Sequence, residues 1–154
     1  MHGVTVSANR GIPAMSNASI QKVRVLEKEA LKHPQVGIPT HHLIHGGTYV
    51  RTILLPAGVL LTGARIKVAT VIIVSGDVVV FRGDDAAELQ GYHVLAASAN
   101  RKQAFAARQD THITMFFPSE AKSVEEAEDF FTDESSLLFS RYAHAVNTIN
   151  ITGE

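Results

Sequence analysis

The sequence predicts a mainly β fold with one helix before the strands and a short helix after them. Between residues 41 and 120, segments rich in Val, Ile, Thr and aromatic residues alternate with turns built from Gly, Pro, Asp and Asn. Short strands separated by frequent turn signals are typical of a β-sandwich or a small barrel. No strand–helix–strand unit interrupts the pattern, so a parallel α/β fold is not expected.

Composition narrows the possible functions. The 154 residues fit one domain, and a formal net charge of −1 gives no electrostatic reason to expect nucleic acid or an anionic membrane as a partner. The chain contains no cysteine, which excludes disulfides and thiolate metal sites and suits a cytosolic protein. No apolar run approaches the roughly 18 residues of a membrane span, and the N-terminus lacks the apolar core of a signal peptide.

The chain before the strands divides into two parts. Residues 1–18 are rich in Ser, Asn, Gly and Pro, which predicts an arm that is ordered only when a partner or another subunit holds it. Residues 19–40 form a predicted helix over 19–32 and a linker. Ser16 or Asn17 can cap the helix, and His33-Pro34 should end it, because the residue before a proline disfavours helical geometry.

The segment 62–82 is central to the predicted barrel, residues 41–120. We expect it to form two strands, 65–74 and 77–82, joined as a hairpin by a turn at Ser75-Gly76-Asp77. In the last part of the chain, residues 121–154, Ser123 and Glu126 match a capping box, which predicts a helix over 124–131. Residues 147–154 are expected to form a terminal strand or a loose tail.

Several short motifs follow one another between about residues 20 and 117: His33-Pro34 and His41-His42, then Leu55-Pro56-Ala57-Gly58, then Ser75-Gly76-Asp77. In this order and spacing the chain resembles the cupin family, and within it the small cupin-like proteins encoded by tailed bacteriophages. The resemblance implies a cupin-like jelly-roll barrel.

The usual cupin metal site is degenerate in this sequence. The positions that match the family's first-motif ligands hold Ala64, Ile66 and Ala69, and the histidine of the second motif corresponds to Lys102. A divalent ion needs several nitrogen or oxygen donors that converge on one point. The sequence therefore predicts neither a metal nor another cofactor at these positions.

The densest histidine cluster is His41, His42 and His45. It offers a weak alternative metal site, but its spacing lies in a loop or strand start and lacks the helical HExxH arrangement. We favour histidines that hydrogen-bond to the backbone or to solvent.

A cationic set raises a second site hypothesis. Arg65 and Lys67 share one strand face, and with Arg101 and Lys102 they could make the barrel interior attractive to an anion. Arg65, Lys67 and Lys102 are the proposed contacts. In the alternative that we favour, Arg65 and Lys67 face solvent, because the even-numbered neighbours Ile66 and Val68 are apolar.

The run from Val71 to Val74 is apolar on both faces. One face should enter the core. Leaving the other exposed would forgo about 1.5–3 kcal/mol for each large side chain. We therefore predict a homo-oligomer with Val71 and Ile73 at the interface.

These observations favour a non-catalytic role. By the resemblance, we expect a structural or assembly protein of a virion, such as a decoration, collar or tail component, bound to other phage structural proteins and located in the virion or host cytoplasm. The alternative is a protein that binds a small anionic ligand in the infected host. A metal-dependent cupin enzyme that uses off-motif histidines is a weaker alternative.

Overall fold

The computed structural model describes Gly3 and residues 11–142 and 144–154. This part of the chain confirms the mainly β fold with a helix near the N-terminus and a short helix towards the C-terminus. The elements in chain order are β1 Gly11–Ile12, α1 Asn17–Ala30, β2 Thr40–His45, β3 Thr48–Leu55, β4 Leu60–Thr62, β5 Thr70–Phe81, β6 Ala86–Ala97, β7 Ala104–Ala107, β8 Thr111–Pro118, α2 Val124–Phe131 and β9 Asn147–Ile151. Two single turns of 3₁₀ helix, Ser135–Leu137 and Phe139–Arg141, follow α2.

The two helices begin at side-chain caps. Ser16 Oγ accepts a hydrogen bond from the Ser19 backbone N–H, so α1 begins at Asn17, slightly earlier than residue 19. Ser123 Oγ accepts from the Glu126 N–H, and α2 covers the predicted range. Each cap satisfies one of the backbone donors that a helix start leaves unpaired.

The nine strands form one sheet. Its main path follows the order β1-β6-β5-β8-β3-β2-β9, and β7 pairs with β4 and with β5 beside that path. The first part of β5 pairs with β8 and its last part pairs with β7, while β6 runs along its other edge. The long strand β5 therefore joins the two branches of the sheet.

The predicted hairpin within residues 62–82 is wrong. Residues 70–81 form the single strand β5, which passes through Ser75-Gly76-Asp77 without reversing, and the hairpin is made by β5 with β6. Gly76 has φ +151° and faces Gly91 across the ribbon. Glycine without a side chain is the residue expected where a strand bends sharply at a barrel corner. Turn-forming residues here produce a bend, because the strand changes partner at this point.

The two ends of the described chain join the sheet as strands. Gly11–Ile12 pairs in parallel with the end of β6, and β9 pairs in parallel with β2, so the tail is a strand. Half of the predicted N-terminal arm, residues 1–2 and 4–10, lies outside the described residues. No helix in the described part of the chain has the length and apolar character that crossing a membrane requires.

The main core is built by strands from both branches of the sheet. Its buried side chains include Ile72 and Val74 from the first part of β5 and Val78 and Val80 from its last part. A second cluster packs Tyr49 and Phe117 of the barrel against Phe131 of α2. The helix α2 is thus attached to one end of the barrel, where it borders the site described next.

Candidate functional site

A cavity of about 470 Å³ lies inside the barrel. Its wall is mainly apolar and is built by inward-facing side chains of β3, β4, β5, β7 and β8: Ile53, Leu61, Ile72, Phe105, Ile113 and Met115. Alternation along each strand turns these residues to the inside while their neighbours face outward. The volume lies within the range of roughly 300–1,000 Å³ that is usual for small-molecule pockets.

Three segments cover the mouth of the cavity. The end of α1 contributes Glu27 and Leu31, and the linker after it contributes residues 33–36. The third segment is the C-terminal cover, which we define as residues 131–142. Its side chains Phe131, Leu138 and Tyr142 line the cavity. These segments border the opening of the cavity, which stays accessible to solvent.

The first ionic network ties the C-terminal cover to α1 and the barrel. Lys102 is fully buried, and its Nζ lies 3.0 Å from Glu27 Oε2 and 3.0 Å from Glu134 Oε2. Arg24 adds a second cation at 3.3 Å from Glu134 Oε1. Burial acts to raise the pKa of Glu134, but the hydrogen bonds and charges of Lys102 and Arg24 outweigh it and lower that pKa overall. The network contains two cations and two carboxylates, so its charges balance.

The second ionic network ties α2 to β3. The carboxylate of Glu128 is buried and accepts hydrogen bonds from Arg51 Nη1 at 2.8 Å, from Arg141 Nε at 2.9 Å and from the Ser140 hydroxyl. Arg141 also pairs with Asp129 at 2.9 Å. Here too, two cations face two carboxylates. Arg51 lines the cavity, but its charge is already compensated.

Arg101 differs from these cations. Its side chain is fully buried in the cavity wall, and its guanidinium donates only to uncharged groups, at 2.6 Å to Ser98 O, 2.7 Å to Thr70 Oγ1 and 3.0 Å to Gln103 Oε1. Burial removes the hydration that stabilises the charged form and lowers the pKa of Arg101 to about 10. The group is still protonated at neutral pH and places a positive charge beside the cavity.

Gln103 is bound to the same guanidinium. Its side chain is buried and lines the cavity, and its Nε2 has no hydrogen-bond partner among the described residues. An unpartnered buried donor costs free energy, and native proteins contain few of them. Arg101 and Gln103 thus form a polar corner in an otherwise apolar wall.

The cations predicted from the sequence to hold an anion do not meet at one point. Arg65 donates to Asn100 Oδ1 at 2.6 Å, and Lys67 pairs with Asp133 at 2.7 Å on the outside of the barrel. Lys102 belongs to the first ionic network. None of the three lines the cavity, whereas Ile66 does so and Val68 packs beside the second cluster.

The histidines of the predicted cluster also separate. His41 is exposed on the outer face of β2, and His45 bonds to Thr152 Oγ1 at 2.6 Å. His42 is buried, with Nδ1 2.8 Å from the Tyr49 hydroxyl and Nε2 2.7 Å from Asn147 Oδ1. Burial lowers the pKa of His42. His42 therefore links β2 to β9 and the second cluster in its neutral form.

The donor set does not fit a metal ion. Within the described residues, no group of three or more His, Cys, Asp or Glu side chains is arranged to hold one. At the positions that resemble the cupin motif, Ala64 and Ile66 line the cavity with carbon atoms, whereas Lys102 does not line it and is bound by Glu27 and Glu134. No step of the proposed function involves a metal.

Val71 and Ile73 lie on the outer face of β5 and are half-buried. Their cross-strand neighbours include Val94 on β6 and Phe116 on β8, so the outer sheet carries a partly apolar surface. The homo-oligomer stays a prediction. Light scattering that shows only monomer at micromolar concentration would contradict it.

Sequence reasoning considered Arg101 among the cations but did not select it, and it missed Gln103. The sequence feature that could have pointed to these two residues is the polar run Arg101-Lys102-Gln103. It lies immediately before a strand that lines the core. The local pattern could not show that Arg101 and Gln103 border the cavity while Lys102, between them, faces two carboxylates.

Comparison with known proteins finds distant structural similarity. No protein-family model matches the sequence, and no curated protein matches it at a significant level. Several of the similar solved structures are described as cupin proteins. A cupin superfamily protein from Desulfitobacterium hafniense is 14% identical, with 57% of this chain and 83% of that chain covered and a TM-score of 0.47.

Two further structures give comparable values. A cupin-2 domain protein from Rhodospirillum rubrum is 14% identical over 59% of this chain and 69% of that chain, with a TM-score of 0.46. The EutQ protein of Clostridium difficile is 8% identical over 58% of this chain and 68% of that chain, also with a TM-score of 0.46. These likenesses assign no ligand or activity to this chain.

Proposed function

We propose that this protein is a non-catalytic binding protein that holds a small, mainly apolar molecule inside its barrel. The observation that carries the proposal is the 470 Å³ cavity with its wall of Ile, Leu, Phe and Met side chains. A concave, mainly apolar pocket with a few polar groups is the usual form of a small-molecule site. The pocket is open to solvent, so an apolar molecule that enters it would release water from the apolar wall.

The ion pairs at the cavity favour binding over catalysis. The carboxylates of Glu27 and Glu134, which line the mouth, are both bound by Lys102. Arg51 is bound by Glu128. A general acid or base needs a group free to reach a reacting atom, and these groups instead hold the C-terminal cover on the barrel.

The binding proposal is tested with the neutral fluorescent probe N-phenylnaphthylamine, whose emission rises in apolar surroundings. We expect the purified full chain to bind the probe. Leu61→Trp, which projects a larger side chain into the cavity, should weaken binding by about tenfold because overpacking removes ligand space. Leu54→Trp is the matched control, since Leu54 lies on the outer face of β3 and does not line the cavity.

Equal loss of probe affinity in Leu61→Trp and Leu54→Trp would contradict the proposal. So would the absence of probe binding by the wild-type protein. Circular dichroism of each variant establishes that the fold is retained. Extraction of the purified protein with organic solvent, followed by mass spectrometry, should in addition release a co-purifying small molecule.

The structural role in a virion stays a prediction, because neither the fold nor the similar structures bear on it. Mass spectrometry of purified virions tests it directly, and their lacking this chain would contradict it. The alternative, a protein that binds a small anionic ligand, is compatible with the cavity. Its contacts would then be residues other than Arg65, Lys67 and Lys102.

A further inference from the structure

We propose that the molecule held in the cavity is an acid, with an apolar body against the barrel wall and a carboxylate at the corner formed by Arg101 and Gln103. This inference rests on the proposed binding function and specifies the chemical class of its ligand. It depends on the charges around the cavity and on the hydrogen bonds of these two side chains.

The charged groups that line the cavity differ in their partners. The carboxylates of Glu27 and Glu134 and the cation of Arg51 each have an oppositely charged partner within salt-bridge distance. Arg101 has none among the described residues, and the residues outside the described part contain no Asp or Glu. A buried charge without a counter-ion is unfavourable, and an anionic ligand would compensate it.

The hydrogen bonds show where an acceptor would fit. Arg101 Nη1 donates to two backbone carbonyl groups, Ser98 O at 2.6 Å and Val68 O at 3.3 Å. On the other edge of the guanidinium, Nη2 donates to Thr70 Oγ1 and has Met115 Sδ at 3.8 Å as its remaining partner. A thioether is a weak acceptor, so this donor is the least satisfied of the group.

The Met115 side chain can move away from Arg101 Nη2 and leave that donor to a ligand. Met115 is half-buried, lines the cavity, and has a flexible unbranched side chain that repacks readily. If its sulfur turns aside, a carboxylate oxygen can accept from Arg101 Nη2. The amide of Gln103 is bound to Nε on the same edge of the guanidinium and carries the unpartnered Nε2 donor. A carboxylate with two acceptor oxygens matches two neighbouring donors.

The experiment compares acids with their neutral amides of the same shape. Octanoate is paired with octanamide and naphthoate with naphthamide, and each is titrated as a competitor of N-phenylnaphthylamine on the full chain. We expect at least one acid to bind about tenfold more tightly than its amide, because hydrogen bonds to a charged acceptor are roughly twice as strong as neutral ones.

Variants of Gln103 then test whether the corner formed by Arg101 and Gln103 holds the carboxylate of the ligand. Gln103→Glu supplies the missing negative charge from within the protein, so we expect a higher melting temperature and loss of the preference for the acid. Gln90→Glu makes the same change at an exposed residue and should preserve the preference. Gln103→Met, which removes the free donor without adding charge, is the second variant and should reduce the preference.

The outcomes separate the two proposals. Probe binding with equal affinity for acids and amides, or with no competition by any of them, overturns the acid as ligand and leaves the binding function standing. No binding of the probe or any competitor overturns both. A preference for the acid that survives in Gln103→Glu and Gln103→Met overturns the assignment to this corner.

Discussion

Arg51 Nη1 donates a 2.8 Å hydrogen bond to Glu128 Oε2, and this pair joins β3 to α2 at the edge of the cavity. The side chain of Glu128 is 1% exposed and that of Arg51 is 12% exposed, so water compensates neither charge if the other is removed. Because Arg51 lines the cavity and α2 leads into the C-terminal cover, the pair couples the stability of the fold to closure of the site.

Glu128→Gln should lower the free energy of unfolding by about 3–5 kcal/mol, because it leaves Arg51 and Arg141 facing a neutral amide in a buried site. Urea unfolding of the purified protein measures the change. Glu125→Gln removes the same charge from an exposed position of α2 and should cost much less. Similar losses in the two variants would show that the charge on α2, rather than the buried pair, provides the stability.

Because the pKa of Glu128 is lowered in the folded protein, we also expect the protein to lose stability in acid. Burial acts to raise its pKa, but hydrogen bonds from Ser140, Arg141 and Arg51 outweigh burial and hold the pKa below the ordinary value of 4.5. A carboxyl group with a lowered folded pKa contributes stability above 4.5, and the contribution is lost as the pH falls through the folded value. The Glu128→Gln variant should lose less stability than wild type in this range. If the stability of wild type and of Glu128→Gln falls in parallel with pH, Glu128 is not the group responsible for the loss in acid.

His42 predicts a separate transition at higher pH. Burial lowers its pKa below 6.5, so the folded protein favours the neutral ring, and stability is lost as the pH falls from 6.5 towards the folded pKa. Melting temperatures from about pH 8 to about pH 5 should show this step. His42→Gln should remove it, whereas His41→Gln, at an exposed neighbour, should retain it. If the step is present in both variants, another titrating group causes it.

Gly76→Ala should destabilise the protein by more than about 2 kcal/mol, because residue 76 adopts a conformation that side chains disfavour and has no room for one. The φ angle is +151°, and an added Cβ would meet the Thr111 hydroxyl and lie 2.8 Å from Thr111 Cα. Gly37→Ala is the control, since nothing lies within 4 Å of its added Cβ. Equal unfolding midpoints for the two variants would refute the close approach of β5 to Thr111.

Lys102→Met should cost about 3–5 kcal/mol, because Glu27 and Glu134 would then face each other without their shared cation. Adding Glu134→Gln should recover part of the loss, and chemical denaturation of the single and double variants measures the coupling. Lys67→Met, at a half-exposed ion pair, should change little. The affinity for octanoate should be unchanged in Lys67→Met, because Lys67 does not line the cavity.

Local sequence was sufficient where the determining contacts are local. The Ser123 cap predicted α2, since capping involves only the first turn of the helix. The predicted strand over 65–74 begins only at Thr70, yet Ile66 lines the cavity and Val68 packs beside the second cluster, as the alternation of apolar residues predicted. Ser75-Gly76-Asp77 misled the prediction because glycine serves both tight turns and bends within strands, and only the neighbouring chain distinguishes them.

The sequence by itself determined the class of fold, the two helices and the β-rich middle, because periodicity and capping act over a few residues. Only the tertiary structure decided which cations are compensated. Lys102 lies between Arg101 and Gln103 in sequence, yet it meets carboxylates from α1 and the C-terminal cover, whereas Arg101 meets none. Charge compensation depends on distance in space, and the partners are supplied by segments far apart along the chain.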